Sequence, residues 1–450
     1  MLPAKVFHSN ELNPVVAVRR EFERFRVRIV IPWLVFFFGF TLTTSIGAVI
    51  IGQSEGARWG LDVMRHDIMG LNVESLTDAV FKNPDYWLIL LICSLAPLAG
   101  AMLAFIFSPR SAVPPGAPRP LGSKLLLARV VFGLGIIWLL ARVAIAVPSA
   151  LQTIIGAWSS GVFAEHYRVR YLVMSVLSPQ EFGLAYSGLL ALLTLPLYEA
   201  LVVRRSARAT LECAVWLAAY WLLAVALVQK LLISYSLLLI GLSLCLAGDI
   251  LAQFKRQLTV LAAFLLLIHS VMAALLPDWS YVSTIDHIIG RSADSYPYAI
   301  MISPKHDFGL GQYIVGSVLG GPAFLGEAIS PNIEIYDLMY PNSDGAMAVP
   351  APVWSYVDVG LLGAVLTMLL VMALCWFVSR LASHVTRSPW SWAIYIVLCV
   401  QIYHLTQMPI IGILFWSYGA IYCIVILALI WMLAPDRRRR NSLSRTARPA

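Results

Sequence analysis

Charged residues are scarce in this chain. Of its 450 residues, 12% are Asp, Glu, Lys or Arg and 60% are hydrophobic, and the mean hydropathy is +0.79. A soluble globular protein has a charged fraction of about one quarter. The low charge therefore excludes a soluble globular protein and indicates an integral membrane protein.

Cysteine is also rare, and its positions exclude a disulfide framework. All six cysteines fall inside apolar runs, and none shows the spacing of a metal site. They are Cys93, Cys213, Cys245, Cys375, Cys399 and Cys423. We interpret them as small core residues, and we predict that the protein uses no metal and no other cofactor.

A cleavable signal peptide is not recognisable either. The first 26 residues are polar and include several arginines, such as Arg19, Arg20 and Arg24. A signal peptide instead has a short apolar core before a small-residue cleavage site. We expect the first apolar run to act as its own insertion signal.

Apolar runs of about 20 residues, by contrast, recur along the chain, and each is long enough to cross ~30 Å of hydrocarbon. Backbone groups in lipid must bond internally, so these runs predict helices. The ten predicted spans are 29–51, 86–108, 126–147, 183–203, 210–228, 231–248, 258–276, 357–379, 390–408 and 410–433. The sequence thus predicts an all-α polytopic protein with one integral membrane domain, residues 1–450.

The basic residues predict the orientation. With a cytoplasmic N-terminus, 23 of the 32 Lys and Arg residues lie on the cytoplasmic side, as the positive-inside rule expects. Both termini are then cytoplasmic, including a basic tail over residues 434–450. Topology thereby accounts for the net charge of +8, and we predict no nucleic-acid partner.

Four segments face outward in this topology: 52–85, 148–182, the Gln229–Lys230 turn and 277–356. Segment 277–356 carries eight of the chain's 24 acidic residues but only two cations, Arg291 and Lys305. Its aromatic residues offer faces for sugar rings and equally suit an interfacial belt. These are Trp279, Tyr281, Tyr296, Tyr298, Tyr313, Tyr336, Tyr340, Trp354 and Tyr356. We infer that binding or chemistry takes place here, beside the membrane.

Segment 148–182 contains the first candidate constellation. Arg168 and Arg170 stand two residues apart and follow Glu165. Guanidinium groups bind phosphate oxygens bidentately and keep their charge, so the pair is suited to grip a diphosphate. The alternative is an interfacial pair that snorkels to lipid headgroups.

Polar residues near the ends of two predicted spans form a second group. Gln229 and Lys230 interrupt two apolar spans, and a lysine there is costly unless it faces water or a partner anion. The alternative is that these two residues form the tip of a hairpin at the membrane interface. His404 and Gln407 lie near the outer end of the ninth span. At that position they can form the floor of an external site.

Segment 277–356 contains a third constellation, Asp286, His287 and Arg291, within six residues. The carboxylate or the imidazole can take a proton from a hydroxyl nucleophile, and the guanidinium can neutralise a departing phosphate. A surface salt bridge is the alternative. His306 belongs to a weaker cluster nearby. No acidic spacing typical of a Ca²⁺ loop occurs, so we predict no metal.

Several motifs follow one another in a recognisable order. A hairpin is broken by Gln-Lys, an external loop contains Ile-Ile-Gly-Arg, and Asp358-Val-Gly-Leu-Leu-Gly363 enters a span after the largest external loop. His-Leu-Thr-Gln-Met-Pro follows near the end of the chain. From about Glu165 to Tyr418, this order resembles the Wzy-type O-antigen and exopolysaccharide repeat-unit polymerases.

The resemblance implies a metal-independent glycosyltransferase with a GT-C-like fold in the bacterial inner membrane. Its periplasmic site would transfer a growing glycan from undecaprenyl diphosphate to a new undecaprenyl-diphosphate-linked repeat unit. The lipid-linked oligosaccharide and the bilayer are then the partners, with a chain-length regulator protein as a candidate third.

The resemblance also implies roles for the candidate residues. Basic residues of the two large loops would hold the anionic substrates, which designates Arg168 or Arg170 in one loop and Arg291 in the other. Lys230, His306 and His404 complete the candidate binding set, and the base would be Asp286, His287 or Glu165. Some family members have a Gly after Arg and ten further residues, but position 302 is Ile here.

Two alternatives remain open at this point. An O-antigen ligase shares the architecture, but it usually has a His-Asn pair, and Ile288 and Asp307 follow the loop histidines here. A polysaccharide or lipid-carrier flippase, a different class of protein, needs charges that line a cavity within the spans.

Overall fold

The computed structural model describes residues 14–53, 78–107, 119–147, 149–159, 163–204, 206–247, 266, 292–303, 331–339, 348–385, 388–409 and 419–433. Within these ranges all regular elements are helices, and no strand occurs. Six of the helices are long and apolar enough to cross a membrane. The prediction of an all-α polytopic membrane protein is therefore confirmed.

We number the helices in chain order and mark the π-helical turns separately. The first half of the chain contains α1 (Pro14–Phe40), π1 (Thr41–Ser45), α2 (Ile46–Gln53), α3 (Asp78–Lys82), α4 (Pro84–Ile106), α5 (Ser123–Ala146), α6 (Ala150–Ser159), α7 (Phe163–Val176), α8 (Pro179–Gly183), π2 (Leu184–Gly188), α9 (Leu189–Tyr198) and π3 (Glu199–Arg204). The second half contains α10 (Ala207–Ala226), α11 (Lys230–Ala247), α12 (Ser295–Ile302), α13 (Pro331–Met339), α14 (Ala351–Val359), α15 (Leu361–Leu381), α16 (Pro389–His404) and α17 (Ala420–Leu433).

Hydropathy locates most of these helices well. Helices α4, α5, α10 and α15 lie within a few residues of the second, third, fifth and eighth predicted spans. The fourth span is a continuous helical rod, Gln180–Arg204, made of most of α8 with π2, α9 and π3. The seventh predicted span, 258–276, lies outside the described residues except for Leu266.

Helix α16 lies in the centre of the bundle. It packs against α1 and α15 on one side and against α9, α11 and α17 on the other. All eight consecutive residues from Tyr395 to Ile402 are buried, so every face of this part of the helix is covered. A helix that is covered around its whole circumference is buried by its neighbours. Helix α16 is therefore the core helix against which the other helices pack.

Helix α14 folds back on α15 at the Asp358–Gly363 motif. Gly360 has φ +72° and ψ −159°, a region that is accessible essentially to glycine alone. A Cβ on Gly363 would collide with the backbone carbonyl of Ser355, and Thr367 donates a hydrogen bond to Ser355 Oγ at 2.7 Å. The two glycines of this motif therefore form a tight structural turn.

Where it is described, segment 277–356 is more buried than the sequence predicts. Five of its aromatic residues are at most 5% exposed, namely Tyr296, Tyr298, Tyr336, Trp354 and Tyr356. The prediction that these five offer open faces to sugars or to the membrane interface is wrong. The remaining aromatics of the segment, Trp279, Tyr281, Tyr313 and Tyr340, lie outside the described residues.

The physical reason is that α12 and α14 pack onto the beginning of α4. Tyr296 donates a hydrogen bond to the carbonyl of Tyr86, and the two rings meet edge to face at 4.8 Å. Tyr356 donates to Asp85 Oδ2 at 2.9 Å. Burial, reinforced by this hydrogen bond, raises the pKa of Tyr356 to about 12. These tyrosines join the segment to the bundle.

Candidate functional site

The helical rod that carries π2 begins with well-defined capping. Ser178 and Glu181 form a reciprocal capping box at the start of α8. Glu181 also accepts hydrogen bonds from Arg142 at 2.9 Å and from Trp138 at 3.0 Å. These contacts anchor the beginning of the rod to α5, one turn before π2.

The π2 turn directs polar groups into the bundle. Single π-helical turns inside α-helices are frequent at functional sites, and here Tyr186 and Ser187 are fully buried. Tyr186 donates a hydrogen bond to Gln229 Oε1 at 2.5 Å. The rod is thereby joined to the turn between α10 and α11.

The end of α16 completes this arrangement. His404 Nδ1 lies 3.2 Å from Gln401 Oε1, and Gln401 Nε2 donates to Ser187 Oγ at 3.5 Å. The His404 ring contacts Tyr235 of α11, with 3.9 Å between the ring centroids. We call Tyr186, Ser187, Gln229, Tyr235, Gln401 and His404 the buried polar network. Each of these six side chains is at most 1% exposed.

Two further contacts extend the network towards the first helix and the segment before α14. Gln407 Nε2 donates to Tyr403 Oη at 3.0 Å, and a Cβ on Gly39 would lie 3.0 Å from the Tyr403 ring. Backbone N–H groups of Val349 and Ala351 donate to the carbonyls of residues 407 and 405. The His-Leu-Thr-Gln stretch at the end of α16 is therefore a junction of several elements.

The chemistry of the network is that of neutral hydrogen-bonding groups. It contains two amides, two phenols, one hydroxyl and one imidazole, the kinds of side chain that donate to and accept from sugar hydroxyls. None of these residue types carries a fixed charge at neutral pH. Cations for a phosphate group therefore have to come from outside the six, and Lys230 directly follows Gln229 in the chain.

The structure gives the two arginines of segment 148–182 unequal settings. Both lie on α7, where Val169 and Val173 are buried, Arg168 is exposed and Arg170 is half-buried. Residues two apart on a helix point to different faces, so a shared grip on one diphosphate is disfavoured. Glu165 lies in the first turn of α7.

The other predicted site residues fall into two groups. His404 lies in the buried polar network, and Lys230 begins α11 next to Gln229. Arg291, Asp286, His287 and His306 lie outside the described residues.

The backbone directly after Arg291 is described. The N–H of Ser292 donates to the carbonyl of Thr43 in π1 at 3.0 Å. This contact places residue 292 beside the first helix.

Sequence reasoning missed Tyr186, Ser187, Tyr235 and Gln401. One signal was available, because Gln401, His404 and Gln407 recur at three-residue spacing and so lie near one another on a helix. The other three are ordinary within their own helices. Comparisons of the chain with protein-family models, curated proteins and solved structures found no match. The network must therefore be interpreted from its own chemistry.

Proposed function

We propose that this protein is a glycosyltransferase of the bacterial inner membrane that polymerises lipid-linked glycan repeat units. It would transfer the growing glycan from undecaprenyl diphosphate to the sugar of a new lipid-linked unit at the periplasmic face. The order of the sequence motifs, which resembles that of the Wzy-type polymerases, supports the proposal. The observation that carries it is that Gln229, which directly precedes Lys230, and His404, at the end of α16, belong to one buried polar network, linked through Tyr186 and Tyr235.

The proposed topology has ten spans, with both termini in the cytoplasm. In that topology the start of the fourth span, the end of the fifth and the end of the ninth all lie on the periplasmic side. Contacts join Tyr186, Gln229, Gln401 and His404 at these three ends. A shared site requires such proximity, which supports the proposal that these three ends lie on the same side of the membrane.

The proposed reaction needs two kinds of group. A hydroxyl oxygen of the acceptor sugar forms a bond to the anomeric carbon, and the bond from that carbon to the diphosphate oxygen breaks. A base takes the hydroxyl proton, with Asp286, His287 and Glu165 as candidates. Fixed cations, Lys230 and Arg291 with one arginine of α7, neutralise the departing diphosphate. The network's amides and hydroxyls are suited to hold sugar hydroxyls.

A flippase remains the alternative from another class, and the position of buried ionisable groups disfavours it. Among the residues whose burial is described, the buried Asp, Glu, Arg and His side chains are Arg28, Glu199, Asp358 and His404. Each lies within a few residues of the end of a predicted span. A charged pathway through the middle of the bundle would require such groups at mid-depth, so the transferase is the better interpretation.

Depletion of the protein in its host tests the function directly. The surface glycan is separated on a gel, and the transferase predicts that the ladder disappears while a single repeat unit remains. Loss of all glycan would instead favour the ligase or the flippase. In the complemented strain, Arg291→Ala is expected to abolish the ladder. An intact ladder in this variant, at normal protein level, would remove Arg291 from the site.

A further inference from the structure

The turn between α10 and α11 contains a strained residue. Val228 has φ +53°, which places a β-branched residue in the left-handed region. L-residues with a branched Cβ rarely adopt this conformation, because the side chain approaches the following carbonyl. Val228 is also buried, with 1% exposure. The strain is therefore held by the packing around it.

The hydrogen bonds around Val228 are those of a Schellman motif. The N–H of Gln229 donates to the carbonyl of Ala224 at 2.8 Å, and the N–H of Val228 donates to that of Val225 at 3.1 Å. The left-handed position of this motif is usually occupied by glycine. A glycine would form the same cap without strain, so valine here needs a different explanation.

Gln229 is the residue that this turn orients. Its Oε1 accepts the hydrogen bond from Tyr186, and its side chain is 1% exposed. Gln229 Nε2 is buried and has no acceptor among the described atoms. A buried amide donor without an acceptor is costly, unless a ligand or water supplies one. Helix α11 then begins at the next residue, Lys230.

We propose that Gln229 binds an anionic substrate through its side-chain amide and that Val228 is the residue that positions this amide. The strained turn fixes the Gln229 amide against Tyr186 and thereby fixes where Lys230 begins α11. The Gln229 Nε2 hydrogens then donate to a phosphate oxygen of that substrate. This inference rests on the proposed function, in which Lys230 holds a diphosphate. Glycine at position 228 would retain the cap but give the backbone more freedom.

The test measures the affinity of the purified protein, in lipid nanodiscs, for farnesyl diphosphate as the probe. The melting temperature of each variant is measured in parallel. Val228→Gly releases the backbone strain but also removes a buried side chain, so we expect its melting temperature to fall by a few degrees while the protein stays folded at the assay temperature. Its affinity for the probe and its glycan ladder should both fall, the ladder on the order of tenfold, since a misplacement of about 1 Å can cost 10²-fold in rate. A simple structural role for Val228 would leave affinity unchanged.

Three further variants separate the roles of Gln229. Gln229→Glu keeps an acceptor for Tyr186 but replaces the amide donor with a carboxylate, so probe affinity should fall. Because this carboxylate is buried, the melting temperature should fall as well, and affinity is measured well below the melting transition. Tyr186→Phe removes the anchor, and its effect should not add to that of Gln229→Leu. Tyr220→Phe is the matched control, because its buried hydroxyl donates to Ala185 of π2 and does not contact Gln229. We expect wild-type affinity there.

The outcomes distinguish this inference from the proposed function. The inference is overturned if Val228→Gly keeps wild-type affinity and ladder, or if the wild-type protein does not bind the probe. If depletion leaves the ladder intact while Val228→Gly weakens probe binding, the proposed function fails and the inference stands.

Discussion

The α14–α15 junction and the α10–α11 junction each contain a residue with positive φ, and they differ in which residue takes that position. Between α14 and α15 it is Gly360, with φ +72°. Between α10 and α11 it is Val228, with φ +53°. Gly360 is followed by an apolar helix, whereas Val228 is followed by Gln229 and Lys230.

The two junctions therefore differ in what the positive φ achieves. At one junction it shapes the backbone, and at the other it positions a side chain. At the α14–α15 junction the backbone has to turn sharply, and glycine makes that turn without strain. At the α10–α11 junction a strained residue persists although glycine would serve the backbone equally well. Strain of this kind clusters at functional sites, where the surrounding structure over-determines it. The buried polar network lies at the second junction, which is where we place the site.

The largest expected effect on stability is at the α14–α15 junction. Gly360→Ala forces a side chain into a region that costs about 1–3 kcal/mol. Gly363→Ala adds a Cβ that collides with the backbone of Ser355. Both should lower the melting temperature clearly, whereas Gly133→Ala, with nothing within 4 Å of its Cβ position, should not. Wild-type melting in the first two would contradict our description of this turn.

A pair of deletions with similar stability costs compares the two junctions by function. Gln401→Leu leaves Ser187 and the His404 ring without this partner, and Thr367→Val removes the hydrogen bond to Ser355. Each change costs about 1–3 kcal/mol. Only Gln401→Leu should shorten the glycan ladder. Equal ladders at equal protein levels would mean that the network does not differ in function from the structural turn.

A smaller effect on stability is expected from a substitution of Ser149, which has φ +53° but is exposed. Ser149→Gly should stabilise the protein by about 1 kcal/mol, because it relieves the same backbone strain. It should leave the ladder unchanged, since Ser149 does not contact the network. A shortened ladder here would show that backbone freedom alone explains the effect of Val228→Gly.

The smallest effect is expected for the exposed ion pair between Arg129 and Glu212, whose side chains approach to 2.6 Å. Exposed pairs contribute about 0–1 kcal/mol. Arg129→Met should therefore change the melting temperature by no more than a degree or two and leave the ladder intact. This variant sets the baseline against which the two junctions are compared.

Much of the fold was predictable from the sequence, because apolar run length determines where a helix can cross a membrane. The anomaly at Gln229–Lys230 was also visible, because polar residues between apolar spans stand out. The burial of Tyr296 and Tyr356 was not predictable, since an aromatic-rich segment has the same composition whether it is open or packed. The π turns add one residue to a helical turn and leave no periodic signal. Tyr186 and Tyr235 become notable only when separate helices bring them together.

The Gln229–Lys230 turn is the centre of this account, and Lys230 can be tested most directly. A depleted strain is complemented with Lys230→Met, the amount of protein in the membrane is matched to wild type, and the surface glycan is separated on a gel. Our account predicts that the ladder is lost and that a single repeat unit remains. A full wild-type ladder from this variant would contradict it.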